Sequence, residues 1–190
     1  MPGSEIITAI DGDGSLFPIG KLDAHRVGQK HLAISAFVFQ DDHLLLQRRA
    51  DGKYHSGGLW ANTCCSHPRW GESPANCAAR RLGEELGWSV PLHEFAVIDY
   101  SAAVGDLYEN ERVHCFRASI DTAPPFNRFN PDEVQALCWR TLTDLEGEIG
   151  LNPESYSEWI KIYVTQHRHL IEPDPTVSAE RTKIREAKAV

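Results

Sequence analysis

Runs of apolar and polar residues change period several times along this chain, and each change marks an element. Glu5–Ile10 reads as a strand, with Asp11-Gly12-Asp13-Gly14 as the hairpin turn behind it. His31–Gln40 is an apolar, partly β-branched run. An Asp41-Asp42 turn follows, and Leu44–Arg48 is the partner strand. Gly52–Ser66 is glycine-rich and is expected to be loop. The period then becomes helical. Ser73 can cap a helix that has Pro74 in its first turn and stops at Gly87. Ala78, Leu82 and Leu86 make its buried stripe, and Arg81 and Glu85 share a direction at its edge. Phe95–Tyr100, Arg112–Ser119 and Val134–Thr141 read as further strands, with a loop between Tyr100 and Glu109. Tyr156–His169 is expected to be one amphipathic helix, and Glu172-Pro173-Asp174-Pro175 opens a polar tail. Strands and helices mix without βαβ regularity and without repeats. The expected fold is therefore α+β or α/β/α: a mixed β-sheet flanked by helices, with one domain over 1–172 and a C-terminal tail over 173–190.

Composition narrows the partners. With 190 residues and 42% hydrophobic positions, the chain can bury a full core. A net charge of -8 makes it a poor nucleic-acid binder, so a phosphate must be met by a few local basic residues and metal. No apolar run is long enough to span a bilayer. Met1-Pro2-Gly3-Ser4-Glu5 lacks a signal core, and five cysteines without paired spacing read as reduced thiols. The expectation is a cytoplasmic protein, a monomer by default with a dimer as the alternative, that takes a small molecule.

The chemistry concentrates in one stretch. Leu59-Trp60-Ala61-Asn62-Thr63-Cys64-Cys65-Ser66-His67-Pro68 runs into Gly71-Glu72-Ser73-Pro74, and Arg80-Arg81-Leu82-Gly83-Glu84-Glu85-Leu86-Gly87 completes it. A loop Glu72 followed by the helical pair Glu84-Glu85 can gather oxygen ligands around Mg²⁺ against a diphosphate. Taken alone, the same residues are a solvated face on which Arg80 pairs with Glu84 and Arg81 with Glu85. A thiol and an imidazole immediately before that scaffold ask for proton chemistry on the carbon end of a diphosphate ester. Glu109 and Glu111 flank Asn110 beside a strand, and a period of two puts both carboxylates on one face.

Gly-Glu-(x)7-Arg-x-x-x-Glu-Glu-x-Gly resembles the Nudix box, with Ser66 where the box opens on Gly. Arg81 stands where hydrolytic members carry a metal-binding Glu, which argues against ordinary Nudix hydrolysis. Trp-x-Asn-x-x-Cys-x-His-Pro followed by Gly-Glu-Ser is similar to type I isopentenyl-diphosphate isomerase, a family built on the Nudix fold. The resemblance runs from about Lys21 to Trp159. It implies interconversion of isopentenyl and dimethylallyl diphosphates through a tertiary carbocation. It implies Cys65 as one catalytic acid–base group, with Cys64 a packed neighbour, and Glu111 as the opposed group. His25, His31, His67, Glu109 and Glu111 would be metal ligands, with Glu85 on a Mg²⁺ that bridges the diphosphate. The ion in the His/Glu set is left open among Mn²⁺, Zn²⁺ and Mg²⁺. Lys21, Arg49, Lys53 and Arg81 match the diphosphate contacts, and Arg48 is interchangeable with Arg49 at this level. Trp159 resembles the residue that faces the cation, and Tyr100 the active-site tyrosine. The interval between His25 and His31 reads as loop. His43, His55, His93, His114, His167 and His169 match no motif position and read as structural. The rivals are a Nudix pyrophosphohydrolase and a non-catalytic Nudix-like binding module.

Overall fold

The computed structural model describes residues 5–173, so the expected tail from 174 onward lies outside the described residues. In chain order the elements are β1 (Ile6–Ile10), β2 (Leu16–Gly20), α1 (Lys21–Val27), β3 (His31–Gln40), β4 (His43–Arg49), β5 (Trp60–Ala61), β6 (Cys64–Ser66) and α2 (Pro74–Leu86). Then come β7 (His93–Val104), β8 (Leu107–Ile120), β9 (Val134–Thr141), α3 (Leu142–Leu151), α4 (Glu158–Gln166) and α5 (Arg168–Ile171). Nine strands share one sheet. It is mixed, because β8 runs parallel to β3 while β1, β4 and β6 pair with β3 antiparallel.

Strand β3 shows why the sheet is covered on both sides. Ala33, Phe37 and Phe39 pack in one layer with Leu145, Ile160 and Tyr163 of the C-terminal helices. Ile34, Ala36 and Val38 alternate to the other layer, against Ala78, Leu82 and Leu86 of α2. A strand buried on both faces has to be apolar at almost every position, and HLAISAFVFQ is. The outcome is the α/β/α arrangement expected from the sequence.

Helix α2 begins and ends where its capping residues direct. The Ser73 hydroxyl accepts from the Asn76 N–H at 3.2 Å, and Pro74 fills the first turn. Gly87 closes the helix at φ 68°. A Cβ there would lie 2.9 Å from the Arg128 carbonyl oxygen, so both conformation and space require glycine. Leu82 is fully buried on the docked face. Leu82→Ala is expected to cost about 3 kcal/mol in urea unfolding. A loss below about 1 kcal/mol would mean that this stripe does not hold α2 to the sheet.

The structure corrects four expectations. Gly52–Ser66 is not all loop, because β5 and β6 lie within it. His25 sits in the last turn of a helix, with only the residues after Val27 forming the link to His31. The loop between Tyr100 and Glu109 is a tight hairpin turned at Gly105-Asp106, and β7 and β8 continue up to it. The single C-terminal helix is two, broken at His167. Among the described residues, no helix is long and apolar enough to cross a membrane.

Candidate active site

Sheet register assembles the site. His31 and Glu111 are direct partners across the parallel β3–β8 pair, and Tyr100 and Glu111 are partners across β7–β8. Cys65 of β6 is registered with Ser35 of β3. Four chemically active side chains are thus fixed by backbone ladders rather than by loops, which suits a site that must be held to fractions of an ångström. Glu109 and Glu111 are both buried on one face of β8, as the period of two required. Helix α1 lies across the end of these strands and adds His25, and His67 follows β6.

His25, His31, His67, Glu109 and Glu111 each offer a ligand atom, and these atoms all lie within 4.8 Å of one another. All five residues are buried. The ring orientations fit a cation. His25 Nδ1 lies 2.7 Å from the Lys21 carbonyl oxygen, and His31 Nδ1 lies 2.7 Å from that of Gln29. A carbonyl only accepts, so each Nδ1 carries the proton and each Nε2 presents its lone pair inward. Both Nε2 atoms are buried without a hydrogen-bond partner. Three imidazoles and two carboxylates form a donor set for a divalent transition metal or Mg²⁺. Burial, with Lys21 and neighbouring imidazoles, pushes the His67 pKa far down and keeps it neutral, as a ligand must be. For His25 burial acts the same way, but the Glu109 carboxylate beside it outweighs burial and the net shift is upward.

Glu111 sits at the centre. Its Oε1 lies 2.8 Å from His67 Nε2 and 3.5 Å from His31 Nε2. Its Oε2 accepts from the Tyr100 hydroxyl at 2.7 Å. Burial would raise its pKa, but its hydrogen-bonding neighbours, His31 first and Tyr100 after it, bring it down to about 2. Burial and the neighbouring Glu111 push the Tyr100 phenol far up, so it stays a donor. The Cys65 thiol donates to Asn62 Oδ1 at 2.8 Å and lies 3.3 Å from Ser35 Oγ. Burial pushes its pKa far up, so it is a thiol at neutral pH. Cys64, its neighbour, points the other way into the α2 layer and is fully buried there.

A cleft of about 510 Å³ opens in front of these groups. Cys65, His67, Tyr100, Glu109 and Glu111 line it together with Lys21, Arg49, Lys53, Arg81, Glu85 and Trp159. Arg49 is the arginine that faces the cleft, because Arg48 points outward and donates to the Gly58 carbonyl at 2.8 Å. The Arg49 guanidinium carbon lies 5.2 Å from the centre of the Trp159 ring. Arg81 Nη2 donates to Glu85 Oε1 at 2.6 Å and to Glu133 Oε2 at 3.0 Å. Glu133 also accepts from Lys53. Burial works against the Arg81 charge, but Glu85 and Glu133 more than offset it and raise its pKa. Glu72 and Glu84 face elsewhere: Arg80 donates to Glu72 at 2.7 Å through Nε and Nη2, and to Glu84 at 3.0 Å.

Four cleft neighbours escaped the sequence reading. Ser35 and Asn62 hold the thiol, Glu133 bridges two of the basic residues, and Tyr54 packs edge-on to His25 at 6.0 Å. His55, read as structural, also lines the cleft. The signal for Asn62 was present in the Trp-x-Asn-x-x-Cys run, whereas Ser35, Tyr54, His55 and Glu133 sit in no pattern that names them.

The NUDIX domain family matches residues 29–161. The Isopentenyl-diphosphate Delta-isomerase of Cereibacter sphaeroides (strain KD131) is 48% identical over 161 residues, 84% of this chain and 90% of that protein. The enzyme of the same name from Rhodobacter capsulatus is 46% identical over 170 residues, 86% of this chain and 94% of that protein. Among solved structures, DR0079 from Deinococcus radiodurans superposes with a TM-score of 0.71 at 16% identity, covering 87% of this chain and 99% of that one. A MutT NUDIX hydrolase from Burkholderia pseudomallei superposes with a TM-score of 0.55 at 25% identity, covering 73% of this chain and 98% of that one.

Proposed function

The chain belongs to the NUDIX domain family and, within it, to the isopentenyl-diphosphate Delta-isomerases, and from that membership we propose how its own residues carry out the reaction. It is an enzyme that interconverts isopentenyl diphosphate and dimethylallyl diphosphate. The observation that carries the mechanism is one cleft lined by two unlike sets of groups: a thiol, a phenol and a buried carboxylate, and with them four cations.

Lys21, Arg49, Lys53 and Arg81 bind the diphosphate, with Arg offering paired donors and Lys a point charge. Glu85, held by Arg81 and by Gln47 at 3.0 Å, is the carboxylate that would hold a Mg²⁺ arriving with the substrate. His25, His31, His67, Glu109 and Glu111 would hold a second divalent ion, Mn²⁺, Zn²⁺ or Mg²⁺. When bound, that ion supplies the positive charge that fixes Glu111 as a positioned carboxylate.

Cys65 and Glu111 act on the isoprenoid end as an opposed acid–base pair. One group adds a proton to the terminal alkene carbon, which gives a tertiary carbocation. The other takes a proton from the carbon nearer the ester oxygen, which moves the double bond. Tyr100, bonded to Glu111, orients that carboxylate and offers it a proton. Trp159 turns an aromatic face to the cation. A dry wall is needed as well, since water would quench the cation, and the burial of these groups provides it. The same proposal has a cytoplasmic monomer working on a free small-molecule diphosphate.

The test is a proton NMR time course of the purified protein with isopentenyl diphosphate and Mg²⁺ in D₂O. Dimethylallyl diphosphate carrying deuterium in a methyl group is expected. Unchanged substrate, together with phosphate release from nucleoside diphosphate derivatives, would overturn the reading in favour of a Nudix hydrolase.

A further inference from the structure

Glu109 has two oxygens, and each faces a different imidazole. Oε2 lies 3.5 Å from His25 Nε2, inside the five-residue cluster. Oε1 lies 3.4 Å from Nε2 of His55, which is outside that cluster. His55 is carried by the loop between β4 and β5, two residues after Lys53. It is nonetheless buried: its side chain is 8% exposed. The ring is wedged edge-on between Tyr54 at 4.3 Å and Trp159 at 5.9 Å, and it lies 5.7 Å from the His25 ring. Arg49 Nη2 donates to the His55 carbonyl at 3.4 Å, which ties the loop to β4.

The protonation pattern follows from these neighbours. Its two ring nitrogens face different groups, Nε2 the Glu109 carboxyl and Nδ1 the Ser56 hydroxyl. Ser56 Oγ lies 3.3 Å from Nδ1, and a hydroxyl can donate as well as accept. Ser56 itself sits at φ 50°, a left-handed backbone that a serine adopts only under constraint. Glu109, as a carboxylate, can only accept. The arrangement that serves both neighbours has Ser56 donating to Nδ1 and the N–H on Nε2, 3.4 Å from Glu109 Oε1.

We propose that His55 is a positioning residue for the metal centre, holding Glu109 Oε1 through its Nε2–H so that Oε2 is turned toward the ion. The inference rests on the reading of the His/Glu cluster as a metal site. Outer contacts of this kind fix ligand orientation, and their loss typically weakens metal binding by about 10- to 100-fold. The same contact joins the metal centre to the loop that carries Lys53 and to the Trp159 wall, so three parts of the cleft share one side chain.

The test is Mn²⁺ affinity of the full-length protein, read by EPR of the free ion, in wild type, His55→Phe, His55→Gln and His25→Ala. Phenylalanine keeps the packing against Tyr54 and Trp159 but has no N–H. Glutamine restores a donor. His55→Phe is expected to weaken Mn²⁺ binding about 10-fold, and His55→Gln to recover most of the loss. Wild-type affinity in His55→Phe would overturn the proposal. Equal weakening in both His55 variants would overturn it too, by assigning the imidazole nitrogen to the ion itself. Undiminished binding in His25→Ala would remove the metal centre, and the role of His55 with it.

Discussion

Cys65→Ala is expected to lower isomerisation by about 10³-fold in kcat while the protein still folds and still binds the diphosphate, since a positioned acid–base group contributes roughly 10²- to 10⁴-fold. Three features of the structure separate the chemical role of the thiol from a structural one. The β6 backbone pairs with β3 through main-chain atoms, so the strand does not depend on Sγ. The thiol's partners, Asn62 Oδ1 and Ser35 Oγ, keep other ties: Asn62 donates to the Ala36 carbonyl at 3.0 Å, and Ser35 accepts from the Tyr163 hydroxyl at 2.9 Å. Losing one hydrogen bond to each costs on the order of 1 kcal/mol, well short of unfolding. The four cations proposed to hold the diphosphate are all kept in the variant, so KM should move little. Cys64→Ala is the matched control. It removes a thiol of the same strand that faces α2 instead of the cleft, so it should lower stability and leave kcat near wild type. A Cys65→Ala protein that isomerises at wild-type rate, or a Cys64→Ala protein that is folded but inactive, would reverse the assignment.

How much of this was legible beforehand depends on what holds each element. Helix α2 announced itself because local chemistry sets both ends, a serine hydroxyl on an amide and a glycine where no Cβ fits. β3 was equally plain, since burial on both faces leaves an unbroken apolar run. The short elements were hidden because tertiary contacts make them. β5 and β6 total five residues, and the link between them is pinned to main-chain groups of β3 and β4. Thr63 donates to the Leu45 carbonyl at 2.7 Å and accepts from the Val38 amide at 2.9 Å. No periodicity encodes that. Helix α1 is seven residues with no side-chain cap, too short to stand without the sheet beneath it. The Glu109–Glu111 pair was visible through its period of two. His55 was not, because a loop position has no period and its value comes only from the oxygen it faces. On the acidic helix the ion-pair reading is what the side chains display. Arg80 and Arg81 do pair with Glu84 and Glu85, yet Arg81 and Glu85 also line the cleft.

Glu111→Gln should be harsher than any other single change at the cleft, because one carboxylate serves two systems. Its Oε1 faces His67 and His31 in the His/Glu cluster, and its Oε2 accepts from Tyr100 in the cleft. An amide keeps the shape but loses the charge. With its oxygen kept toward Tyr100, its NH₂ replaces the carboxylate oxygen among the imidazole Nε2 atoms, where a cation needs a lone pair. Both metal affinity and turnover should fall, with kcat down by about 10⁴-fold, the upper end of the acid–base range. The contrast with Glu109→Gln separates the roles. Glu109 faces His25 and His55, and the Tyr100 hydroxyl donates to Glu111 instead, so loss of Glu109 should weaken the proposed metal site alone. Excess Mn²⁺ should then restore most activity to Glu109→Gln and almost none to Glu111→Gln. Titrating Mn²⁺ against turnover in both variants reads this directly. If saturating metal rescues Glu111→Gln as well, Glu111 is a ligand only, and the group opposed to Cys65 must be Tyr100, whose hydroxyl is the next proton-carrying atom on that side of the cleft.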